Sequence, residues 1–180
     1  MTLLDLHLFA WLNAGPHTPH ACIAFAAFIS NGLPPLLMGL LAVVAAWRPA
    51  WRQTLWATLL SLLLVWLAVR VFRAWLPMPR PGSLDLGIQW LAQGERAGFP
   101  SLHAAGAFAV AISVLRSRGG RLGAFFMAAA LAIALSRVYL GLHFPTDVIV
   151  GSLLGSLMAL AVARGLTAQR ARGLRRAAVS

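Results

Sequence analysis

The chain has 180 residues, of which 60% are hydrophobic and only 11% are charged; this excludes an ordinary soluble domain and is typical of a single-domain polytopic membrane protein. The formal net charge of +11 comes from fifteen arginines and four acids, with no lysine. The single cysteine, Cys22, excludes an internal disulfide, and no cysteine–histidine cluster has the spacing of a zinc site.

The predicted elements, in chain order, are one short helix and five membrane spans. Residues 1–15 are apolar but too few to cross a bilayer, and they lack the features of a signal peptide, so we predict a helix lying at the membrane interface. A re-entrant path is the alternative. The stretches long enough to span are about 21–46, 54–76, 99–116, 121–141 and 145–164. The predicted fold class is all-α, a polytopic membrane helical bundle of about five transmembrane helices plus an N-terminal interfacial helix. We assign residues 1–165 to one membrane-embedded domain and residues 166–180 to a basic cytoplasmic tail.

The distribution of arginines predicts the orientation of this bundle. Ten of them lie between spans one and two, between spans three and four, or after span five: Arg48, Arg52, Arg116, Arg118, Arg121, Arg164, Arg170, Arg172, Arg175 and Arg176. The positive-inside rule makes that side cytoplasmic. The opposite side carries all five histidines and the acids Asp5, Asp85, Glu95 and Asp147. Nucleic-acid binding is a poor explanation of the charge, because the arginines form no basic face on a soluble domain.

Two polar segments flank the loop between the second and third spans. In RAWLPMPRP, residues 73–81, prolines cannot continue the helix, so Arg73 lies on its last turn and Arg80 in the loop beyond. In FPSLH, residues 99–103, Ser101 is placed to cap the third span and is followed by His103. Each feature also has an ordinary explanation, because arginines near helix ends often reach lipid headgroups and serine often does no more than cap a helix.

A third polar segment, SRVYLGLHFPTD, joins the fourth and fifth spans on the same side. Arg137 ends the fourth span, and Pro145 suits the first turn of the fifth. His143 and Asp147 are four residues apart, about one helical turn, so the carboxylate can reach the imidazole. A single pair with this spacing often arises by chance.

Together the three segments predict a site for the phosphate of a lipid. The arginine fork suits phosphate, and a helix N-terminus offers N–H groups to an anion. Two histidines can divide the roles of nucleophile and acid, and a carboxylate can fix the tautomer of one of them. The residues that match no such pattern are Arg70, Arg96, His7, His17 and His20.

These segments resemble the three motifs of the type-2 phosphatidic acid phosphatase superfamily, KxxxxxxRP, PSGH and SRxxxxxHxxxD. The third motif matches completely from Ser136 to Asp147, and the order and spacing of all three agree. Two positions depart from the pattern, since Arg73 replaces the usual Lys and Leu102 the usual Gly. The first change keeps the charge, and the second keeps a backbone N–H but adds a side chain near the phosphate.

The resemblance implies a role for each motif residue. His143 would attack phosphorus and form a phosphohistidine, Asp147 would orient and stabilise its ring, and His103 would protonate the leaving oxygen and then activate water. The phosphoryl oxygens would be bound by Arg73, Arg80, Ser101, Leu102 through its backbone, and Arg137. Neither a metal nor another cofactor is expected, because the guanidinium groups supply positive charge.

Within this superfamily the chain is similar to bacterial undecaprenyl diphosphate phosphatases. That similarity implies hydrolysis of undecaprenyl diphosphate to undecaprenyl phosphate for cell-wall peptidoglycan synthesis, in the bacterial cytoplasmic (inner) membrane, with the site facing the periplasm or cell exterior. One alternative is a phosphatase or phosphotransferase acting on phosphatidylglycerophosphate, phosphatidic acid or lipid A. Another is a carrier of anionic lipids, which the clustering of polar groups at one end and the lack of a repeat disfavour. The sequence does not predict the oligomeric state.

Overall fold

The structure, a computed structural model, describes residues 2–92 and 97–177, with side chains described as far as Arg172. Within these residues every regular element is helical, which confirms the all-α prediction. The α-helices are α1 Leu3–Leu12, α2 His20–Ala27, α3 Leu33–Trp47, α4 Arg52–Trp75, α5 Leu102–Arg118, α6 Gly120–Tyr139 and α7 Pro145–Ala177. A π-helical turn, Phe28–Gly32, joins α2 to α3, and single 3-10 turns lie at Pro49–Trp51 and Pro81–Leu84. Glu95, Arg96 and the last three residues of the predicted tail lie outside the described residues.

Four helical stretches in the described part are long and apolar enough to cross a membrane: His20–Trp47, Pro49–Trp75, Gly120–Tyr139 and Pro145–Arg172. The remaining predicted span is α5, which has 17 residues and is therefore about 25 Å long. This shorter helix lies at the centre of the bundle and packs against α4, α6 and α7. Large apolar side chains on the outer helices, such as Trp56 and Leu63 of α4, are exposed, as expected for surfaces that face lipid.

Two glycines bring α7 against the backbone of α5. A Cβ atom at Gly151 would lie 2.5 Å from the carbonyl oxygen of Ser101, and one at Gly155 would lie 2.7 Å from the carbonyl carbon of Ala105. Only residues without a side chain permit this approach, as at close helix contacts in other membrane proteins. As a result, the backbone N–H of Ser101 donates to the carbonyl of Asp147 at 3.0 Å, which ties the first turns of α5 and α7 together.

The predicted interfacial helix is α1, which packs against α6 and α7. Phe9 is 2% exposed, and its ring centroid lies 5.3 Å from that of Phe144. Just after the helix, the Asn13 side chain accepts from the N–H of Ile88 at 2.7 Å and donates to the carbonyls of Ile88 and Tyr139, each at 3.1 Å. Through these hydrogen bonds, the N-terminal segment connects the 81–92 loop to the end of α6.

Candidate active site

The polar residues predicted from the three motifs converge at one end of the bundle. Their positions are the last turn of α4 (Arg73), the loop after it (Arg80), the start of α5 (Ser101, Leu102, His103), the last turn of α6 (Arg137), the α6–α7 connection (His143) and the first turn of α7 (Asp147). Six positions from three stretches of sequence, 73–80, 101–103 and 137–147, thus contribute to one site. The buried members include Arg137 at 0%, His143 at 1% and Asp147 at 4% exposure.

His143 and Asp147 form the pair that the helical spacing predicts. The Nδ1 atom of His143 lies 3.3 Å from Oδ2 of Asp147, and the same oxygen accepts from the N–H of Phe144 at 3.0 Å. On the other side of the ring, Nε2 lies 3.3 Å from Nη1 of Arg80. A guanidinium group only donates, so Nε2 accepts and the ring proton lies on Nδ1, facing the carboxylate. The lone pair of Nε2 is therefore directed toward Arg80.

Charge and burial set the protonation state of this histidine. Burial, followed by the positive charges of Arg80, Arg137 and Arg73, lowers the pKa of His143 well below its ordinary value of 6.5. The neutral imidazole is therefore the form present at neutral pH. Burial and the neighbouring charge of Arg73 also lower the pKa of Arg80, and Asp147 acts in the opposite direction.

Carbonyl and side-chain oxygens hold the three arginines in place. Arg73 donates to the carbonyl of Pro100 at 3.1 Å, and Arg80 donates to the carbonyl of Leu142 at 3.0 Å. The Nη1 atom of Arg137 donates to Oγ of Ser30 at 2.6 Å and to Oδ1 of Asn31 at 3.2 Å. These bonds anchor each guanidinium group and constrain the directions of its other donors.

The start of α5 differs in one respect from the sequence prediction. Ser101 occupies the N-cap position, but its side chain makes no capping hydrogen bond. Its buried Oγ has no hydrogen-bond partner within the described part of the chain, and the same holds for Nε of Arg137. These two polar atoms remain available to a phosphoryl oxygen. His103 interacts electrostatically with Arg137, His143, Arg80 and Arg73, which places the second histidine in the same site.

Three residues at the site were missed by the sequence analysis. Ser30 and Asn31 hold Arg137, although they lie more than 100 residues from it in sequence. Asp5, only 4% exposed, accepts at Oδ1 from the N–H of Thr146 at 2.9 Å and from its hydroxyl at 2.8 Å. Each of these three polar residues lies inside an apolar segment, and this feature could have identified them from the sequence. Polar residues in such segments of membrane proteins usually have a specific partner.

An apolar cavity of about 300 Å³ adjoins His103. It lies between α3, α4, α5 and α6, and its lining includes Pro34, Leu62, Leu102 and Phe126. Leu102, the residue that departs from the family motif, therefore faces this apolar space. The site combines buried and half-buried arginines and histidines with an adjoining cavity suited to a hydrocarbon chain.

A helical membrane bundle with this site belongs to the class of integral membrane phosphatases. The family profile described as the PAP2 superfamily matches residues 51–171. The chain is 35% identical over 159 residues, which is 86% of this chain and 78% of the relative, to the Escherichia coli (strain K12) protein named "Putative undecaprenyl-diphosphatase YbjG". The chain belongs to the PAP2 superfamily, and it is a membrane lipid phosphatase, a hydrolase of phosphate esters.

Two solved structures share the fold. The crystal structure of Aquifex aeolicus LpxE matches with a TM-score of 0.77 and 26% identity, covering 91% of this chain and 96% of that chain. The crystal structure of the first transmembrane PAP2 type phosphatidylglycerolphosphate phosphatase from Bacillus subtilis matches with a TM-score of 0.72 and 22% identity, covering 92% and 85%. The spanning helices and the bacterial relatives indicate a bacterial membrane protein.

Proposed function

We propose that the chain hydrolyses undecaprenyl diphosphate to undecaprenyl phosphate and inorganic phosphate through a phosphohistidine at His143. The observation that carries the chemistry is the position of His143, with Nδ1 held by Asp147 and Nε2 beside Arg80. The substrate assignment rests on the similarity to the Escherichia coli protein and on the apolar cavity next to His103.

In the first step the lone pair of His143 Nε2 attacks the terminal phosphorus. The bond from that phosphorus to the bridging oxygen breaks, and undecaprenyl phosphate leaves with a proton from His103. Asp147 stabilises the positive ring that forms, as the carboxylate of a catalytic triad does. In the second step His103 takes a proton from water, the resulting hydroxide attacks the same phosphorus, and the P–N bond breaks to release inorganic phosphate. General acid–base help of this kind is worth about 10²–10⁴-fold.

Arginines and helix amides stabilise the charge on the transferring group. Arg73, Arg80 and Arg137 approach from three elements, and preorganised donors of this kind give large transition-state stabilisation in a dry site. The first N–H groups of α5 have no carbonyl partner within the helix, so the N-terminus adds further donors for an anion. The Oγ of Ser101, which has no hydrogen-bond partner among the described residues, lies at this terminus and is a further donor to a phosphoryl oxygen.

The first isoprene units of the prenyl tail lie in the apolar cavity, the rest of the tail lies along the lipid-facing surface, and the diphosphate enters from the side. A longer prenyl chain makes more van der Waals contacts with the protein, so long chains are favoured until the tail leaves the protein surface. We assign the site to the periplasmic or outer side of the bacterial cytoplasmic membrane, because the arginine-rich end lies opposite. In a Cys22→Ser background, Ala92→Cys should react with an impermeant reagent in intact cells and Ala168→Cys only after lysis. The reverse pattern would overturn this orientation.

A panel of substrates tests the assignment. Purified protein is assayed for phosphate release from undecaprenyl diphosphate, shorter prenyl diphosphates, phosphatidylglycerophosphate, phosphatidic acid, lipid A and a soluble phosphomonoester, with no acceptor lipid present. We expect kcat/KM to be highest for the long prenyl diphosphate and to exceed the value for the soluble phosphomonoester by orders of magnitude. A preference for phosphatidylglycerophosphate or lipid A would refute the substrate assignment, and turnover that requires an acceptor lipid would indicate phosphotransfer.

A further inference from the structure

A second polar cavity lies at the opposite end of the bundle from His143. Its volume is about 320 Å³, and it is enclosed by α4, α5 and α7. Small side chains, Ala57, Ala159 and Ala163, leave space between the helices. The motifs and the proposed reaction use none of the residues that line it.

The charged side chains around this cavity are all positive. Arg116, Arg118 and Arg170 line it, and no acid of the described chain does. Two of these arginines are held in place by neighbouring groups. Arg118 donates to the carbonyl of Ala50 and lies 4.4 Å from the ring centroid of Trp51, and Arg170 donates to the side chain of Gln53. Because no acid lines the cavity, the positive charge of the three arginines has no counterion among the described residues of this region.

A buried hydroxyl in the same cavity has no hydrogen-bond partner among the described residues. Ser113 is only 6% exposed, and its Oγ makes no hydrogen bond within the described part of the chain. One turn further along, the Ser117 hydroxyl donates to the Ser113 carbonyl at 2.6 Å, which shows the usual way a helical serine is satisfied. Buried polar groups nearly always have a partner, so the Ser113 hydroxyl is an available donor for a ligand in this cavity.

An apolar groove adjoins the polar cavity. It has a volume of about 390 Å³, shares Gln53, Ala57 and Leu166 with the cavity, and is further lined by Trp56 and Leu60 of α4. Trp56 is 69% exposed, so the groove opens toward the lipid-facing surface of the bundle. A ligand with a charged head and a hydrocarbon chain fits the polar cavity and the groove together.

We propose that this cavity binds the phosphodiester headgroup of an anionic phospholipid from the membrane leaflet opposite the active site. Arg116 and Arg170 bind the phosphate oxygens, because planar guanidinium forks match phosphate geometry. The Ser113 hydroxyl donates to a third oxygen, and one acyl chain lies along Trp56 and Leu60. Basic pockets between transmembrane helices on the cytoplasmic side bind anionic headgroups in this way.

The test is lipid binding to purified full-length protein, measured by native mass spectrometry with dioleoyl phosphatidylglycerol, dioleoyl phosphatidylcholine or inorganic phosphate. The cavity variant is Arg116→Gln with Arg170→Gln. The matched control is Arg48→Gln with Arg164→Gln, which removes the same charge at the same end but outside the cavity. The active-site arginines are unchanged in every protein, so the difference between variants reports on this cavity alone.

We expect phosphatidylglycerol to bind the wild type and the control alike, and to bind the cavity variant at least about tenfold more weakly. Two single variants that keep the net charge, Ser113→Ala and Arg116→Lys, should each weaken phosphatidylglycerol binding several-fold. They provide the test if the double variant does not fold. An equal loss in the control would overturn the proposal in favour of diffuse attraction to basic residues. Equal binding of phosphatidylcholine and phosphatidylglycerol would overturn the assignment to an anionic lipid. The lipid assignment would also be wrong if inorganic phosphate bound, and bound more weakly to the cavity variant, while phosphatidylglycerol did not bind at all.

Discussion

Replacing Asp5 should slow the reaction although this residue touches no reacting group. Its carboxylate accepts both the N–H and the hydroxyl of Thr146, the residue between Pro145 and Asp147 in the first turn of α7. A negative charge at this position also complements the positive N-terminal end of the helix. Asp5 therefore acts as a positioning residue, because it fixes the turn that carries the carboxylate partner of His143.

The size of the effect follows from these contacts. Asp5→Asn keeps an acceptor oxygen but removes the charge, a loss of about 0.3–1 kcal/mol for a helix terminus and up to about 2 kcal/mol when partly buried. Asp5→Ala also removes both hydrogen bonds, each worth about 0.5–1.5 kcal/mol or more to a charged group. Because about 1.4 kcal/mol is a factor of ten in rate, we expect kcat to fall roughly 3–10-fold in the asparagine variant and roughly 10–100-fold in the alanine variant.

The assay is steady-state phosphate release by purified variants, with the melting temperature measured in the same detergent. KM should change much less than kcat, and the asparagine variant should recover part of the loss. The charge-matched control, Asp85→Asn, lies in the exposed 81–92 loop and should behave as wild type. In a double-mutant cycle, Thr146→Ala should add little to Asp5→Ala. Wild-type kcat in Asp5→Ala, or fully additive effects in the cycle, would refute the positioning role.

Three further predictions concern packing, protonation and metal independence. Gly155→Ala should destabilise the protein by about 1–3 kcal/mol, because its Cβ would overlap the Ala105 backbone. The control in the same helix, Gly165→Ala, places its Cβ within 4 Å of no described atom and should be neutral or slightly stabilising. Equal melting temperatures of the two variants would contradict the close approach of α5 and α7. Burial and nearby arginines lower the pKa of His143, so NMR titration of the ligand-free protein should show its ring still neutral below pH 6.5. A titration midpoint at or above pH 6.5 would contradict these electrostatics. Activity should survive excess EDTA because arginines supply the positive charge, and loss of activity that magnesium restores would rule out this mechanism.

The sequence predicted those parts of the site that depend on local geometry. The spacing of His143 and Asp147 determines their contact, since residues four apart share a helix face. Prolines likewise placed Arg73 at the end of α4 and Arg80 beyond it. Such features need only helix periodicity and helix-breaking residues, and motif spacing then indicated which helix ends had to meet.

The contacts that the sequence did not predict join distant segments. Arg137 binds Ser30 and Asn31 of the π-helical turn, and nothing in the local pattern pairs a polar residue of the first span with the end of the fourth. The sequence places Asp5 only among the outer acids, because its partner, Thr146, is 141 residues away. Both contacts depend on how the helices pack, and packing is not encoded in the periodicity of any one of them.

The most direct test of the proposed mechanism is to isolate the phosphoenzyme. Purified protein is mixed with undecaprenyl diphosphate labelled in its terminal phosphate and quenched in alkali, in which phosphohistidine is stable, and the labelled peptide is identified by mass spectrometry. The label should lie on His143, and His143→Ala should show neither label nor phosphate release. His103→Gln should accumulate label, because loss of the base slows attack by water more than departure of undecaprenyl phosphate, already a good leaving group. Near-normal phosphate release by His143→Ala, or label on another residue, would contradict the assignment of the nucleophile.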